Sequence, residues 1–235
     1  MFLRVEDPVW EIFPELVLGL VWADGLDNTG AAADVQAEKR RLQQTLHQRY
    51  ERETLSQQPR IRAWRQAYSL FGAKPKKYRS SVESLYRMIL MGKELRSINP
   101  VVDIYNLISL KHMVPAGGDD LDRVEGHIRL TRAEGGETFI PLNQKDPESA
   151  KPGEVIYRDD RDVLCRRWNW RECDRTKMRD NTRRLCLVVE GLPPVEKAQV
   201  ESITRELAAL ISSRCRGPAK STVLDVGQRE AALEF

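Results

Sequence analysis

The chain has 235 residues, 41% hydrophobic and 31% charged, with a formal net charge of +3 at pH 7. This is ordinary globular composition with enough length for one sizeable core, and no apolar run is long enough to span a membrane. The four cysteines (Cys165, Cys173, Cys186, Cys215) and three histidines (His47, His112, His127) match neither a CxxC pair nor a Cys/His zinc spacing. No metal and no cofactor is therefore expected, and the thiols read as those of a reducing, cytoplasmic setting.

The first element in chain order is a strand from Leu16 to Trp22, within the run ELVLGLVWA, which lacks the basic lead-in of a signal peptide. DGLDNTG follows as a loop. A long helix is expected over Ala33–Gln57, with a narrow apolar stripe of Val35, Leu42, Leu46 and Tyr50 and the rest of its surface in water. Pro59 begins a second helix, carrying Ile61, Trp64, Ala67, Tyr68 and Phe71 at helical spacing and capped by Gly72. A third starts at Ser80 or Ser81, where Ser80 stands three residues before Glu83 as in a capping box, and ends at Gly92. A fourth runs from Pro100 to about Leu110, with Asn99 as its cap.

Beyond Pro115 the texture changes. HIRLTRA, TFIPL, EVIYRD, DVLCRRW and LCLVVEG are short, rich in Val, Ile and Leu, and punctuated by Gly, Pro and Asp, as strands are. VEKAQVESITRELAALISSRC is a last amphipathic helix. The order predicts an α+β protein: one domain over 1–235, with a helical part at 33–95, a helix-rich first half, and a strand-rich second half closed by a C-terminal helix.

The small net charge is unevenly spread. Glu38–Arg79 holds twelve Lys/Arg against three acids, and Arg166–Arg184 holds eight against three. Two basic segments on a near-neutral chain fit either a polyanion surface or solvated helix faces. Within them, KPKKYRSS (Lys74–Ser81) places Lys76, Lys77 and Arg79 at a helix N-terminus, where phosphate is favoured; an ordinary capped helix is the alternative. RRWNWRE (Arg166–Glu172) interleaves cations with two indoles, a pattern suited to stacking on bases and sugars or to a hairpin packing its tryptophans. Strand alternation would put Trp168 and Trp170 on one face and Asn169 on the other.

NPVVDIYN (Asn99–Asn106), Val114–Pro115 and DLDRVEG (Asp120–Gly126) together resemble the B3/B4 domain of the bacterial phenylalanyl-tRNA synthetase beta chain, where the run reads NPVVDxTNYV and then GQPxHAFDLD. IRLTRAEGGETFIPL and KPGEVIYRDDRDVL resemble that domain's following strands. FGAKPKKYRSSVESLYRMILMGKELRSINPVVDIYNLISLKH and VLCRRWNWRECDRT resemble freestanding B3/B4 proteins, which lack a synthetase body. The resemblance covers 14–216. It implies the B3/B4 fold and hydrolysis, in trans, of the ester of a mischarged aminoacyl-tRNA, with aminoacylated tRNA as partner and a synthetase as a further one.

That chemistry needs a positioned water and donors for the oxyanion rather than a Ser-His-Asp triad, and no GxSxG elbow occurs. Asp103, Asn106, Pro115, Asp120 and Asp122 match the family pattern. The family's Thr is Tyr105 here and its His is Gly117; its later Gly-Gly falls near Trp170 and Arg171, and a Glu associated with tyrosine recognition falls on Arg175. The resemblance thus implies a pocket of altered shape and no fixed amino-acid preference. The residues expected to carry chemistry are His112, as base or ester-orienting group, and Asn169. Those expected to hold substrate are Asn106, Asp120 (for the α-amino group), Trp168, Trp170 and Arg175. Arg40, Arg41, Lys76, Lys77, Arg79, Arg166 and Arg167 are expected to face the tRNA. A non-catalytic tRNA or amino-acid binding module, or a scaffold docking a synthetase through the helix at Ala33–Gln57, are the alternatives.

Overall fold

The apolar run after Glu15 forms strand β2 (Val17–Ala23), all seven residues of which are buried. The computed structural model describes residues 1–235. Alternation on β2 sends Leu18, Leu20 and Trp22 into one core and Val17, Val21 and Ala23 into another. Two cores therefore share one sheet, and together they make a single α+β unit.

That sheet is four-stranded and antiparallel. Its order is β11 (Ala219–Leu224), β2, β10 (Leu185–Gly191) and β3 (Ala116–Asp120). One face is covered by α5 (Pro100–His112) and α6 (Lys197–Arg214), which bury Ile104, Ile108, Ile203 and Leu207 against Leu185, Leu187 and Val189. Gly19 is required here, since a Cβ would sit 1.9 Å from the Thr204 hydroxyl on α6. The opposite face packs on a six-stranded sheet ordered β12 (Glu230–Ala232), β1 (Phe2–Val5), β4 (Ile128–Arg132), β7 (Val155–Arg158), β8 (Val163–Arg166) and β9 (Arg171–Glu172). Only β1 and β4 pair in parallel; the single-turn helix α1 (Asp7–Trp10) follows β1, and β5 (Thr138–Phe139) and β6 (Glu148–Ser149) form a separate antiparallel ladder. The same core takes in α3 (Pro59–Leu70) and α4 (Ser81–Leu90) through Ile61, Trp64, Tyr68, Val82 and Tyr86.

The expected caps form. Ser80 accepts from the backbone N–H of Glu83, and Asn99 accepts from that of Val102 at 3.1 Å. Asn28, from the early loop, adds a second bond to the α5 N-terminus by accepting from Val101 at 2.9 Å. Gly72 and Gly92 take the left-handed conformation just past their helices.

Three expectations change. The final helix does not close the chain, because β11 and β12 follow it and add an edge to each sheet. The first half contains β1, which was not expected, besides the expected β2 and its helices. The helix expected over Ala33–Gln57 is α2 (Ala33–Arg49), a break, and a short 3-10 turn at Leu55–Gln57 that buries Leu55.

The docking face of α2 is also less apolar than its stripe suggested. Lys39 and Gln43 are buried beside Val35 and Leu46. Lys39 Nζ meets Asp103 Oδ1 on α5 at 2.6 Å with both side chains almost fully enclosed, and the Ser97 hydroxyl donates to the other Asp103 oxygen. Breaking such a pair leaves an uncompensated buried charge. Lys39→Met should therefore destabilise the protein by about 3–5 kcal/mol in urea melts, and Lys39→Met with Asp103→Leu should recover much of the loss.

Candidate functional site

A cavity of about 320 Å³ lies between the two sheets. Its floor is the face of the four-stranded sheet that alternation turns away from the helices: Gly117 and Asp119 on β3, and Cys186, Val188 and Glu190 on β10, in direct register as Val188–Gly117 and Cys186–Asp119. The six-stranded sheet contributes Leu3, Ile128, Tyr157 and Cys165. The roof is the β8–β9 hairpin turn, Arg167–Trp170, continued by Arg171 and Glu172.

The turn is unusual. Arg167 (φ 47°) and Trp168 (φ 66°) both adopt left-handed backbone, uncommon for any non-glycine residue and more so for a bulky one. Tertiary contacts hold it there. Arg166 grips Glu154 at 3.0 and 2.8 Å and reaches Glu148 at 2.8 Å, while Arg167 meets the same Glu154 at 3.0 Å. Trp168 is fully buried against Phe13 and Trp64, with ring centroids 4.8 and 5.0 Å away. The strand alternation expected for Trp168–Trp170 is thus replaced by a turn. Trp168 enters the core, while Trp170 stays partly exposed and packs edge-on to Tyr78 at 5.0 Å.

Two motifs far apart in sequence meet at this point. The Arg167 guanidinium lies 3.8 Å from the Tyr78 ring centre and 4.4 Å from that of Trp170, and the Ser81 backbone N–H donates to the Asn169 carbonyl at 3.1 Å. Lys76 and Lys77 are exposed on the same loop, and Lys77 sits 5.3 Å from the Tyr78 ring centre. The basic loop Lys74–Ser81 and the Trp-Asn-Trp turn therefore form one rim of the cavity.

Inside, Asn169 is fixed at both ends of its amide: Tyr68 Oη donates to Oδ1 at 2.9 Å, and Nδ2 donates to Glu190 Oε2 at 2.5 Å. Tyr157 Oη donates to Glu190 Oε1 at 2.6 Å. Burial pushes Glu190 up to about 7, against the pull of these donors. The Trp168 indole N–H lies near Glu190 outside hydrogen-bond geometry and has no partner. Burial, with Asp119 nearby, raises Glu172 to about 8. Burial also raises Asp119 to about 6 despite a 2.5 Å bond from Thr176 Oγ1. Cys165 and Cys186 are held as thiols by burial and by these carboxyls.

Of the residues expected from sequence to form the site, Asn169, Trp168 and Trp170 line the cavity. Lys76 and Lys77 stand on the loop at its rim, and the others are elsewhere. His112 is at the C-terminus of α5 on the far side of the sheet, paired with Glu206 of α6 at 2.9 Å. Asn106 is a half-buried α5 residue outside the lining. Asp120 points away from the cavity and closes the following turn, accepting from the Asp122 N–H at 3.1 Å and Thr182 Oγ1 at 2.7 Å; its neighbour Asp119 faces inward instead. Arg175 is engaged by Asp159 at 2.7 Å. Arg166 and Arg167 are 3% and 4% exposed and committed to Glu154, so they brace the roof rather than face a polyanion. Arg79 lies 3.7 Å from Glu83, whereas Arg40 and Arg41 are exposed on α2. Sequence reasoning missed Asp119, Glu172 and Glu190. The signal for Glu190 was a charged residue inside the apolar strand LCLVVEG.

The three raised carboxyls bind protons more tightly folded than unfolded. Their contribution to stability is complete at low pH and is lost as pH rises from the ordinary carboxylate range through about 6, 7 and 8. The melting temperature should therefore fall between pH 5 and pH 8, and Glu172→Gln should flatten that slope; a flat wild-type profile would contradict the assignment.

Comparison with known proteins agrees with this chain's motifs. The chain is similar to phenylalanine--tRNA ligase beta subunits of Ruegeria pomeroyi (39% identical over 66 residues, 28% of this chain and 8% of the relative) and Leifsonia xyli (45% over 51 residues, 22% and 6%). That of Mycoplasma genitalium is 30% identical over 76 residues, 32% of this chain and 9% of its own. The matched segments thus span under a tenth of each relative's length. A crystallised N-terminal fragment of the phenylalanyl-tRNA synthetase beta-subunit from Pyrococcus horikoshii aligns over 92% of this chain and 49% of its own, at 13% identity and a TM-score of 0.49. The profile of the B3/4 domain matches residues 63–216, which include the basic loop, β3, the roof turn and β10. On that match over more than half its length, the chain belongs to the B3/4 domain family.

Proposed function

We propose that this protein hydrolyses the ester bond of mischarged aminoacyl-tRNA in trans, with the aminoacyl group in the cavity and the tRNA end on its rim. The observation that carries the reading is the convergence of the Lys74–Ser81 loop and the Arg167–Trp170 turn at the mouth of a cavity holding acid–base groups. Exposed Lys76 and Lys77 supply phosphate contacts, and Trp170 with Tyr78 offers ring faces and edges to a terminal nucleoside. Such a rim beside an enclosed, largely apolar chamber suits a polymer whose reactive group is a small appended residue. Phenylalanine--tRNA ligase beta subunits among its relatives favour the same substrate class.

The chemistry is attack of water on an activated ester. Glu190, with a proton affinity near neutrality, takes the proton as the water oxygen bonds to the carbonyl carbon. Collapse of the tetrahedral intermediate expels the terminal ribose hydroxyl, to which the proton returns. Asn169, fixed by Tyr68 and Glu190, retains one amide hydrogen for the substrate. A binding module without turnover is the second reading, favoured by the absence of an imidazole among the lining residues, since Gly117 stands where the resembling family has His. Retention of a synthetase as partner is compatible with either.

Catalytic amounts of protein, incubated with tRNAs bearing correct and incorrect radiolabelled amino acids, should clear at least one mischarged species over multiple turnovers. Glu190→Gln should lower kcat by about 100-fold or more. Lys76→Ala with Lys77→Ala should raise KM and reduce its salt dependence with little change in kcat. Binding without turnover across the whole panel would leave only the second reading.

A further inference from the structure

Glu172 is the one cavity carboxyl with no cation and no side-chain donor. It forms no salt bridge, and the groups whose charge it feels or perturbs are Asp119, Tyr105 and Cys165, none of them basic. Its carboxyl lies over β3, where a Cβ on Gly117 would sit 2.9 Å from Glu172 Oε1 and the Gly118 backbone N–H is nearby. Asp119 projects from the same face of β3 as Gly117, so the two acids share one end of the cavity. Burial raises both acids toward neutrality; Asp119 feels the Arg175 guanidinium from outside the lining and Glu172 has no cation, so a cation docked between them would favour their ionised forms.

Two further polar atoms in the cavity lack partners. The Trp168 indole N–H belongs to a fully buried residue, and the Ser81 hydroxyl is enclosed at the rim; neither has a hydrogen-bond partner. Buried donors are rarely left unpaired without a reason. The cavity thus presents two ionisable acids at one end and neutral donors at the roof. A ligand that completes it carries a cation and an oxygen acceptor a short distance apart.

We propose that Glu172 and Asp119 form an ammonium subsite, so that the cavity selects ligands with a free primary amine and a neighbouring carbonyl and rejects their N-acylated forms. This rests on the deacylase reading and narrows its substrate to esters with an unblocked α-amino group. The docked ammonium pairs with the ionised acids, the proton that Glu172 gives up passing to solvent, and the Trp168 N–H or the Ser81 hydroxyl donates to the carbonyl oxygen. N-acylation removes the charge and adds bulk where Glu172 already fills the space above Gly117.

The test uses the full chain and stable probes. L-alaninamide, L-valinamide and L-tyrosinamide, each beside its N-acetyl counterpart, are titrated calorimetrically against wild type, Glu172→Gln and Asp119→Asn. At least one free amide should bind, its N-acetyl form at least about tenfold more weakly, and both variants should lose about tenfold in affinity while melting no lower than wild type. Failure of every amide to bind, equal affinity for acetylated probes, or unchanged binding in both variants overturns the subsite. The two readings fail separately. Amide binding without turnover of any charged tRNA keeps the subsite and removes the deacylase. Equal turnover of N-acetylated and free aminoacyl-tRNA keeps the deacylase and removes the subsite.

Discussion

The cavity depends on one carboxylate. Glu154, 5% exposed, is the common anchor of Arg166 and Arg167, and those two ion pairs hold the start of a turn whose backbone would not be adopted freely. A bidentate guanidinium–carboxylate contact fixes direction as well as distance. With Arg166 fixed, Trp168 is driven into the aromatic cluster of Phe13 and Trp64, Asn169 is carried over Glu190, and Trp170 is left at the rim against Tyr78. Without that grip the roof would relax to an ordinary hairpin and the chamber would lose its upper wall.

The opposite wall is governed by strand alternation. On β10 the odd positions Leu185, Leu187 and Val189 feed the helix-covered core, and the even positions Cys186, Val188 and Glu190 face the other sheet. One strand therefore carries a packed core on one face and part of the cavity lining, Glu190 included, on the other. The same division on β3 explains why Asp119 is a cavity residue while Asp120 caps a turn. The β3 glycines make room on both faces: a Cβ on Gly118 would sit 2.1 Å from the Cys186 carbonyl.

Much of this was legible in the sequence, because helices, caps and strands are short-range events. Ser80, Asn99, Gly72 and Gly92 act where local rules put them. The motifs at Lys74–Ser81 and Arg166–Glu172 were legible as unusual, but not their contact, since pairing across some ninety residues depends on packing. Arg166 and Arg167 read as surface cations because sequence does not reveal that Glu154 is buried beside them. Lys39 was hidden in a polar helix for the same reason: its partner Asp103 is distant in the chain. His112 drew attention as an imidazole at a helix end, yet the side of a sheet on which a helix lies is a tertiary fact, and α5 lies on the far side from the cavity.

The six-stranded sheet has a temporal consequence. Its β1 strand, near the start of the chain, takes a parallel neighbour, β4, from past residue 125 and an antiparallel one, β12, from past residue 225. Leu3 on β1 is also part of the cavity wall. During synthesis β1 must therefore wait for Ile128–Leu130 before gaining its first partner, and for Glu230–Ala232 before gaining its second. Contacts of such sequence separation form late because the intervening loop must first be closed. The helices and hairpins can assemble early, but the cavity floor on β10 (Cys186, Val188 and Glu190) lies beyond both rim segments in the chain, so a ribosome-bound intermediate would carry the basic rim before it carried a finished chamber.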